Sequence, residues 1–151
     1  MVTLDELKDK LASNARLIGL DLGTKRIGIA ICDDRRKIAS PYKTIEYKNM
    51  DYLVNELKNI IKENNIFAVI IGNPINMDGS FGKSAQSIND KAKVIEKELD
   101  LIIAMWDERL STSGAFNISS NLDINFSKKK KNIDEKAAAF ILQGALDYLN
   151  N

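Results

Sequence analysis

Apolar residues along the chain switch between two spacings, and the switches outline the fold. Leu17 to Leu22 and Ile27 to Cys32 are short apolar runs separated by Gly23-Thr24-Lys25-Arg26, which predicts two strands joined as a hairpin. A third strand over Tyr42 to Tyr47 is expected at a sheet edge or beginning at Pro41, because proline cannot donate to a ladder. From Asp51 onward Leu53, Leu57, Ile60 and Ile61 recur at i, i+4, i+7 and i+8, the stripe of a surface helix. Phe67 to Ile71 is almost wholly apolar and ends in Gly72 and Pro74, which suits a strand buried on both faces of a parallel sheet. A glycine-containing loop through Asp78-Gly79 and Gly82 then leads to a helix over Ser84 to Leu99. A strand over Leu101 to Trp106 and a short helix over Ser111 to Leu122 follow. Ala138, Ile141, Leu142, Ala145, Leu146 and Leu149 form one face of a last helix, which Asp134 is expected to open.

At the other end, Thr3 and Glu6 have capping-box spacing ahead of Leu7 and Leu11, so residues 3 to 13 read as a short helix. We expect residues 1–15 to be a helical extension on a single domain spanning 16–151, with no internal repeat or linker. The order of elements predicts an α/β fold: an antiparallel hairpin, then parallel strands joined by right-handed crossovers, with helices packed on a mixed sheet.

Composition narrows the chemistry more than it narrows the fold. With 151 residues, 44% of them hydrophobic and 28% charged, the chain resembles an ordinary globular protein with one core. No apolar run approaches the roughly 20 residues of a membrane helix, and the first fifteen residues lack the apolar region of a secretory signal. A cytoplasmic location is expected. There is no histidine and one cysteine, Cys32, so neither a Cys/His zinc site nor a Ser-His-Asp or Cys-His mechanism can be assembled. Carboxylates are left as the main candidates for catalysis, and any metal held by them should be hard, Mg²⁺ or Mn²⁺. The net charge of +1 gives no global attraction to polyanions. A nucleic-acid footprint would have to be local.

Three acidic positions fall at comparable places: Asp21 ending the first strand, Asp107-Glu108 after the fifth, and Asp134 at the expected start of the last helix. Functional groups of α/β sheets collect at strand ends, so Asp21 and Glu108 converge if their strands are parallel neighbours. Asp134 lies one turn before Ala138 on the apolar stripe, where a carboxylate is costly unless paired, protonated or bound to metal. Each acid also has a plainer reading: Asp134 as a helix N-cap, Asp21 as a turn residue, Asp107 and Glu108 as partners of surface cations. Strand alternation would send Asp107 and Glu108 to opposite faces, leaving open which of them joins the site. Around the acids, Thr24, Lys25 and Arg26 could bind phosphate or merely form a turn. Arg109 could hold a phosphate oxygen or neutralise the carboxylates. The run Lys128, Lys129, Lys130 and Lys131 reads as a loop between two helices that is either simply solvated or a salt-dependent grip on substrate. Trp106 and Phe126 are candidates for base stacking, although a strand tryptophan is more often core.

Four segments in order carry a family resemblance. Leu20-Asp21-Leu22-Gly23-Thr24-Lys25-Arg26-Ile27-Gly28-Ile29-Ala30 resembles the opening motif of the YqgF family, also called RuvX-like, of bacterial ribonuclease-H-like proteins. Gly72-Asn73-Pro74-Ile75-Asn76-Met77-Asp78-Gly79-Ser80, Asp107-Glu108-Arg109-Leu110-Ser111-Thr112 and Asp134-Glu135-Lys136-Ala137-Ala138-Ala139 resemble its later motifs. The likeness spans residues 17 to 149; Asn73, Phe81 and Gly114 depart from the usual residues. It implies a ribonuclease-H-like fold and a nuclease whose metal-holding, catalytic acids are Asp21, Glu108 and Asp134. The implied substrate is either the 5′ end of precursor 16S ribosomal RNA or, alternatively, a branched DNA Holliday junction, cut by a monomer or homodimer. Asp21-Leu22-Gly23-Thr24 also resembles the first phosphate motif of the sugar-kinase and actin group, but those proteins clasp nucleotide between two domains and this length supplies one. A non-catalytic RNA-binding assembly factor is the remaining alternative.

Overall fold

The computed structural model describes residues 1–74, 82–108 and 126–151, without the side chains of residues 83, 84 and 126–132. Its elements are α1 (Leu4–Lys10), β1 (Arg16–Leu22), β2 (Arg26–Cys32), β3 (Ala39–Glu46), α2 (Met50–Asn64), β4 (Ile66–Asn73), α3 (Lys83–Leu99), β5 (Ile102–Asp107) and α4 (Phe126–Leu149). The five strands form one sheet in the order β3-β2-β1-β4-β5. The β1–β2 and β2–β3 pairs are antiparallel, whereas β1–β4 and β4–β5 are parallel. This is the α/β arrangement expected, a hairpin-led mixed sheet.

Period-2 alternation sorts the strand residues onto two faces. Ile18, Leu20 and Leu22 of β1 join Ile27, Ile29, Val69 and Ile71 in a core closed by Leu53, Leu57 and Ile60 of α2 and Ala92 and Ile95 of α3. Leu17, Ala30, Ala68, Ile70, Ala104 and Trp106 face the other way, onto Ala138, Ile141, Leu142, Ala145, Leu146 and Leu149 of α4. The apolar stripe read from the sequence is thus the sheet-facing side of α4.

Both sheet edges are protected. β3 begins three residues before the expected Tyr42 and contains Pro41, which is tolerated because β3 pairs only with β2 and the register shifts between Ile29 and Ala30, where Pro41 sits. Beyond β5, the Val2 backbone N–H donates to the Ile103 carbonyl at 2.9 Å, and Leu7 of α1 is fully buried against the α4 side. Thr3 caps α1 by accepting from the Glu6 N–H at 3.1 Å, and the helix stops at Lys10 rather than running to residue 13.

Two expectations at the last helix are corrected. α4 starts at Phe126, so Asp134 lies well inside it and is not its N-cap. Lys128, Lys129, Lys130 and Lys131 belong to the helical backbone rather than to a loop. The physical reason is that no glycine or proline interrupts residues 126 to 134, and lysine is a good helix former. A like-charge run reads as a loop only where nothing carries the helix through it. The expected helix over residues 111 to 122 lies outside the described residues, as does the loop over 75–81.

Candidate active site

β1 delivers Asp21 to the α4 face of the sheet. Leu17 and Gly19, four and two residues before it, both pack against α4, and alternation carries Asp21 to the same side. In the ladder Asp21 is opposite Gly28 of β2, while its neighbour Leu20 aligns with Ile71 of β4. Gly28 and Gly72 therefore flank the acid on either side.

Both glycines are required by close approach. A Cβ on Gly28 would overlap the backbone carbonyl oxygen of Asp134, so α4 comes down onto the sheet beside the register partner of Asp21. A Cβ on Gly72 would strike Ile141 of α4 and lie 3.2 Å from Glu108 Oε2. The Glu108 carboxylate thus reaches back from the end of β5 across β4, on the α4 face, toward Asp21. Ile102, Ala104 and Trp106 lie on this face and Ile103 and Met105 on the other, so alternation puts Glu108 with Asp21 and sends Asp107 away. The sequence signal for these spacers was available: an isolated glycine inside a strand marks a close approach.

The electrostatics follow from this crowding. Burial, and then the nearby Asp134 charge, push the Asp21 carboxyl up from 3.8 to about 6. Burial, then the charges of Asp21 and Asp107, push Glu108 from 4.5 to about 7. Two carboxyls raised by desolvation and by neighbouring acids are a poor arrangement for the folded chain alone and a good one for a positive ligand. Asp134 instead accepts a hydrogen bond from Arg26 Nε at 2.8 Å, an ion pair joining the start of β2 to α4. Among the described residues, no group of three or more acidic or cysteine side chains is arranged to hold an ion as it stands. The donor chemistry nevertheless fits a hard divalent cation, since carboxylate oxygens are concentrated in a partly buried place. Asp21 lies within electrostatic reach of both Glu108 and Asp134.

The other residues singled out from the sequence distribute unevenly. Thr24, Lys25 and Arg26 are all exposed at the β1–β2 turn, beside Asp21 and at the same end of the sheet. The Lys25 carbonyl accepts from Tyr47 N–H at 2.8 Å, which ties that turn to the end of β3. Arg109 lies outside the described residues, as do the side chains of Lys128 to Lys131 and Phe126. Trp106 is core: it is 4% exposed and packs edge-on to Tyr148 at 6.2 Å, so it offers no face to a base.

The model of the family described as "RuvX: Holliday junction resolvase" matches residues 15–148. The chain belongs to the RuvX family. A RuvX relative from Pelagibacter ubique (strain HTCC1062), named "Putative pre-16S rRNA nuclease", is 60% identical over 151 residues, covering all of both chains. A second protein of that name, from Acidiphilium cryptum (strain JF-5), is 40% identical and covers 99% of this chain and 95% of its own. Among solved structures, Thermus thermophilus RuvC in complex with a Holliday junction substrate superposes with a TM-score of 0.55 at 10% identity, covering 89% of this chain and 94% of that one. The yeast mitochondrial Holliday junction resolvase Ydc2 gives 0.53 at 12% identity, over 97% and 84%. At such identities the likeness is one of fold, the ribonuclease-H-like fold expected for this RuvX chain, in which β1 and β5 supply the acid-bearing strand ends.

Proposed function

We propose that this chain is a nuclease that hydrolyses phosphodiester bonds at the 5′ end of precursor 16S ribosomal RNA, and that Asp21, Glu108 and Asp134 are its metal-holding catalytic acids. The substrate is argued from the full-length relative of that name. The chemistry is argued from one observation, the Glu108 carboxylate lying over Gly72 on the side of Asp21. Mg²⁺ or Mn²⁺ bound there, as a pair of ions in the full mechanism, would lower the barrier by polarising a phosphate oxygen and activating water.

The chain's own part is positioning and charge. Asp21 and Glu108, held on rigid strand ends, fix the ligand geometry, and their desolvation disfavours the charged forms until a cation offsets it. Thr24 and Lys25, exposed at the adjacent turn, suit the scissile strand's phosphates, as does Arg26. Arg109 is proposed as a further phosphate contact beside Glu108. The one full turn of lysines in α4 is proposed as a salt-dependent grip on nucleic acid. The reading carries a cytoplasmic location with it, and no helix among the described residues is long and apolar enough to cross a membrane.

A second reading, cleavage of a Holliday junction, is favoured by the family's description. The experiment that separates them offers purified protein a precursor 16S RNA 5′ segment and a four-way DNA junction, each with Mg²⁺, Mn²⁺ or chelator. The proposal expects metal-dependent cut of the RNA and loss of it in Asp21→Asn. Cut of the junction alone, together with a stable dimer able to make two symmetric nicks, supports the second reading. Tight, salt-sensitive RNA binding with no turnover under either metal would make the chain a non-catalytic assembly factor.

A further inference from the structure

The acid that α4 contributes is held by a specific partner. Asp134 is on α4 and Arg26 opens β2, 108 residues earlier, yet Arg26 Nε donates to Asp134 Oδ2 at 2.8 Å. Gly28, two residues after Arg26, is the position against which the Asp134 backbone rests, so the pair is fixed from both ends. The Arg26 side chain is 55% exposed and that of Asp134 23% exposed, so the cation is the more open of the two to a ligand. Asp134 nevertheless lies close enough to raise Asp21 by its charge.

We propose that Arg26 is a positioning residue that withholds Asp134 from the divalent ion until a phosphate of the substrate takes the guanidinium away. This rests on the reading of Asp21, Glu108 and Asp134 as metal ligands. A guanidinium binds carboxylate and phosphate by the same kind of charge-assisted hydrogen bond. A nucleic-acid backbone crossing the β1–β2 turn would therefore compete directly for Arg26, and Asp134 would be released beside Asp21 as the phosphate arrives. The exchange is one ion pair for another. No covalent step and no change in proton count is needed. The consequence is a metal site with two committed acids in the free protein and three in the complex, so metal and nucleic acid should bind with positive coupling.

The test reads Mn²⁺ binding by electron paramagnetic resonance on the whole protein without nucleic acid, and then with a nuclease-resistant phosphorothioate strand. Arg26→Gln should tighten Mn²⁺ binding roughly three- to tenfold in the absence of nucleic acid, about the scale of one part-exposed ion pair. The strand should tighten Mn²⁺ binding to the native protein but add little in Arg26→Gln. Lys25→Gln removes the same charge from the adjacent exposed position and should change affinity less than twofold by general electrostatics. Arg26→Gln combined with Asp134→Asn should lose the gain. Equal effects of the Arg26 and Lys25 variants, or a gain that survives loss of Asp134, would overturn the proposal. Absence of Mn²⁺ binding in every variant would instead sink the metal-site reading on which it rests.

Discussion

The two faces of the sheet are built for different ends. On the α2 and α3 face the strands present large aliphatics, Ile18, Leu20, Ile29, Val69 and Ile71, all fully buried. On the α4 face the same strands present Leu17 and Ile70 but otherwise small residues, Gly19, Gly28, Ala30, Ala68 and Gly72, with Asp21 at the end. The first face maximises apolar area removed from water, the main favourable term in folding. The second gives up side-chain volume so that α4 can lie close, and the close approach is what brings Asp134 to Asp21. One sheet thus confines its chemistry to one of two packed faces by the alternation of its strands.

That contrast predicts different consequences for substitutions one residue apart. The largest effect should come from Asp21→Asn. Metal-dependent cleavage should fall by on the order of a thousandfold or more, because the variant keeps the shape of the site but removes the central negative charge. Leu20→Ala, its neighbour on the opposite face, should do the reverse. Removal of a fully buried leucine should cost about 3 kcal/mol of stability in urea unfolding, while Mn²⁺ affinity at low temperature is retained. If both variants lose cleavage in proportion to lost stability, the separation of the faces is wrong.

How much of this was legible in the sequence depends on the range of the interaction. The β1–β2 hairpin, α2, β4, α3 and β5 announce themselves because each is a local periodicity bounded by turn residues, and the six apolar positions of α4 do the same. The start of α4 is not legible, since a lysine run has good helix propensity and a loop-like charge pattern at once. Nor is the strand order, which places β1 between β2 and β4. Asp21 and Glu108 could be nominated from strand ends, but their convergence needed Gly72 to be recognised as the open position beneath Glu108. The Arg26–Asp134 pair lay wholly beyond the sequence, because each side chain has other charged residues nearer in the chain.

Gly28→Ala tests the seam between the two faces. The added Cβ meets backbone of α4 rather than a flexible side-chain tip, so the helix must move as a body. Overpacking of this kind costs about 1–3 kcal/mol. Cleavage should fall further than the loss of folded protein accounts for, with Asp134 displaced while Asp21 and Glu108 stay in place. A parallel loss of stability and activity would make Gly28 purely structural.

The smallest effect, and the sharpest in sign, is on stability itself. A carboxyl whose pKa is higher folded than unfolded contributes stability that is fully present below its unfolded value and is lost as pH rises through the folded one. Asp21 spans 3.8 to about 6 and Glu108 spans 4.5 to about 7, so metal-free protein should lose stability between roughly pH 4 and pH 7 on their account. Asparagine at position 21 carries no such charge at any pH. In chelator, Asp21→Asn should therefore be more stable than the native chain at pH 8 by about 1–2 kcal/mol, allowing for solvent beside the site, and equal to it near pH 4. Mg²⁺ should reverse the order at pH 8 by stabilising the native chain alone, because only that chain offers the cation the Asp21 charge together with that of Glu108. An acid buried for packing would lack that reversal; an acid buried to hold a metal requires it.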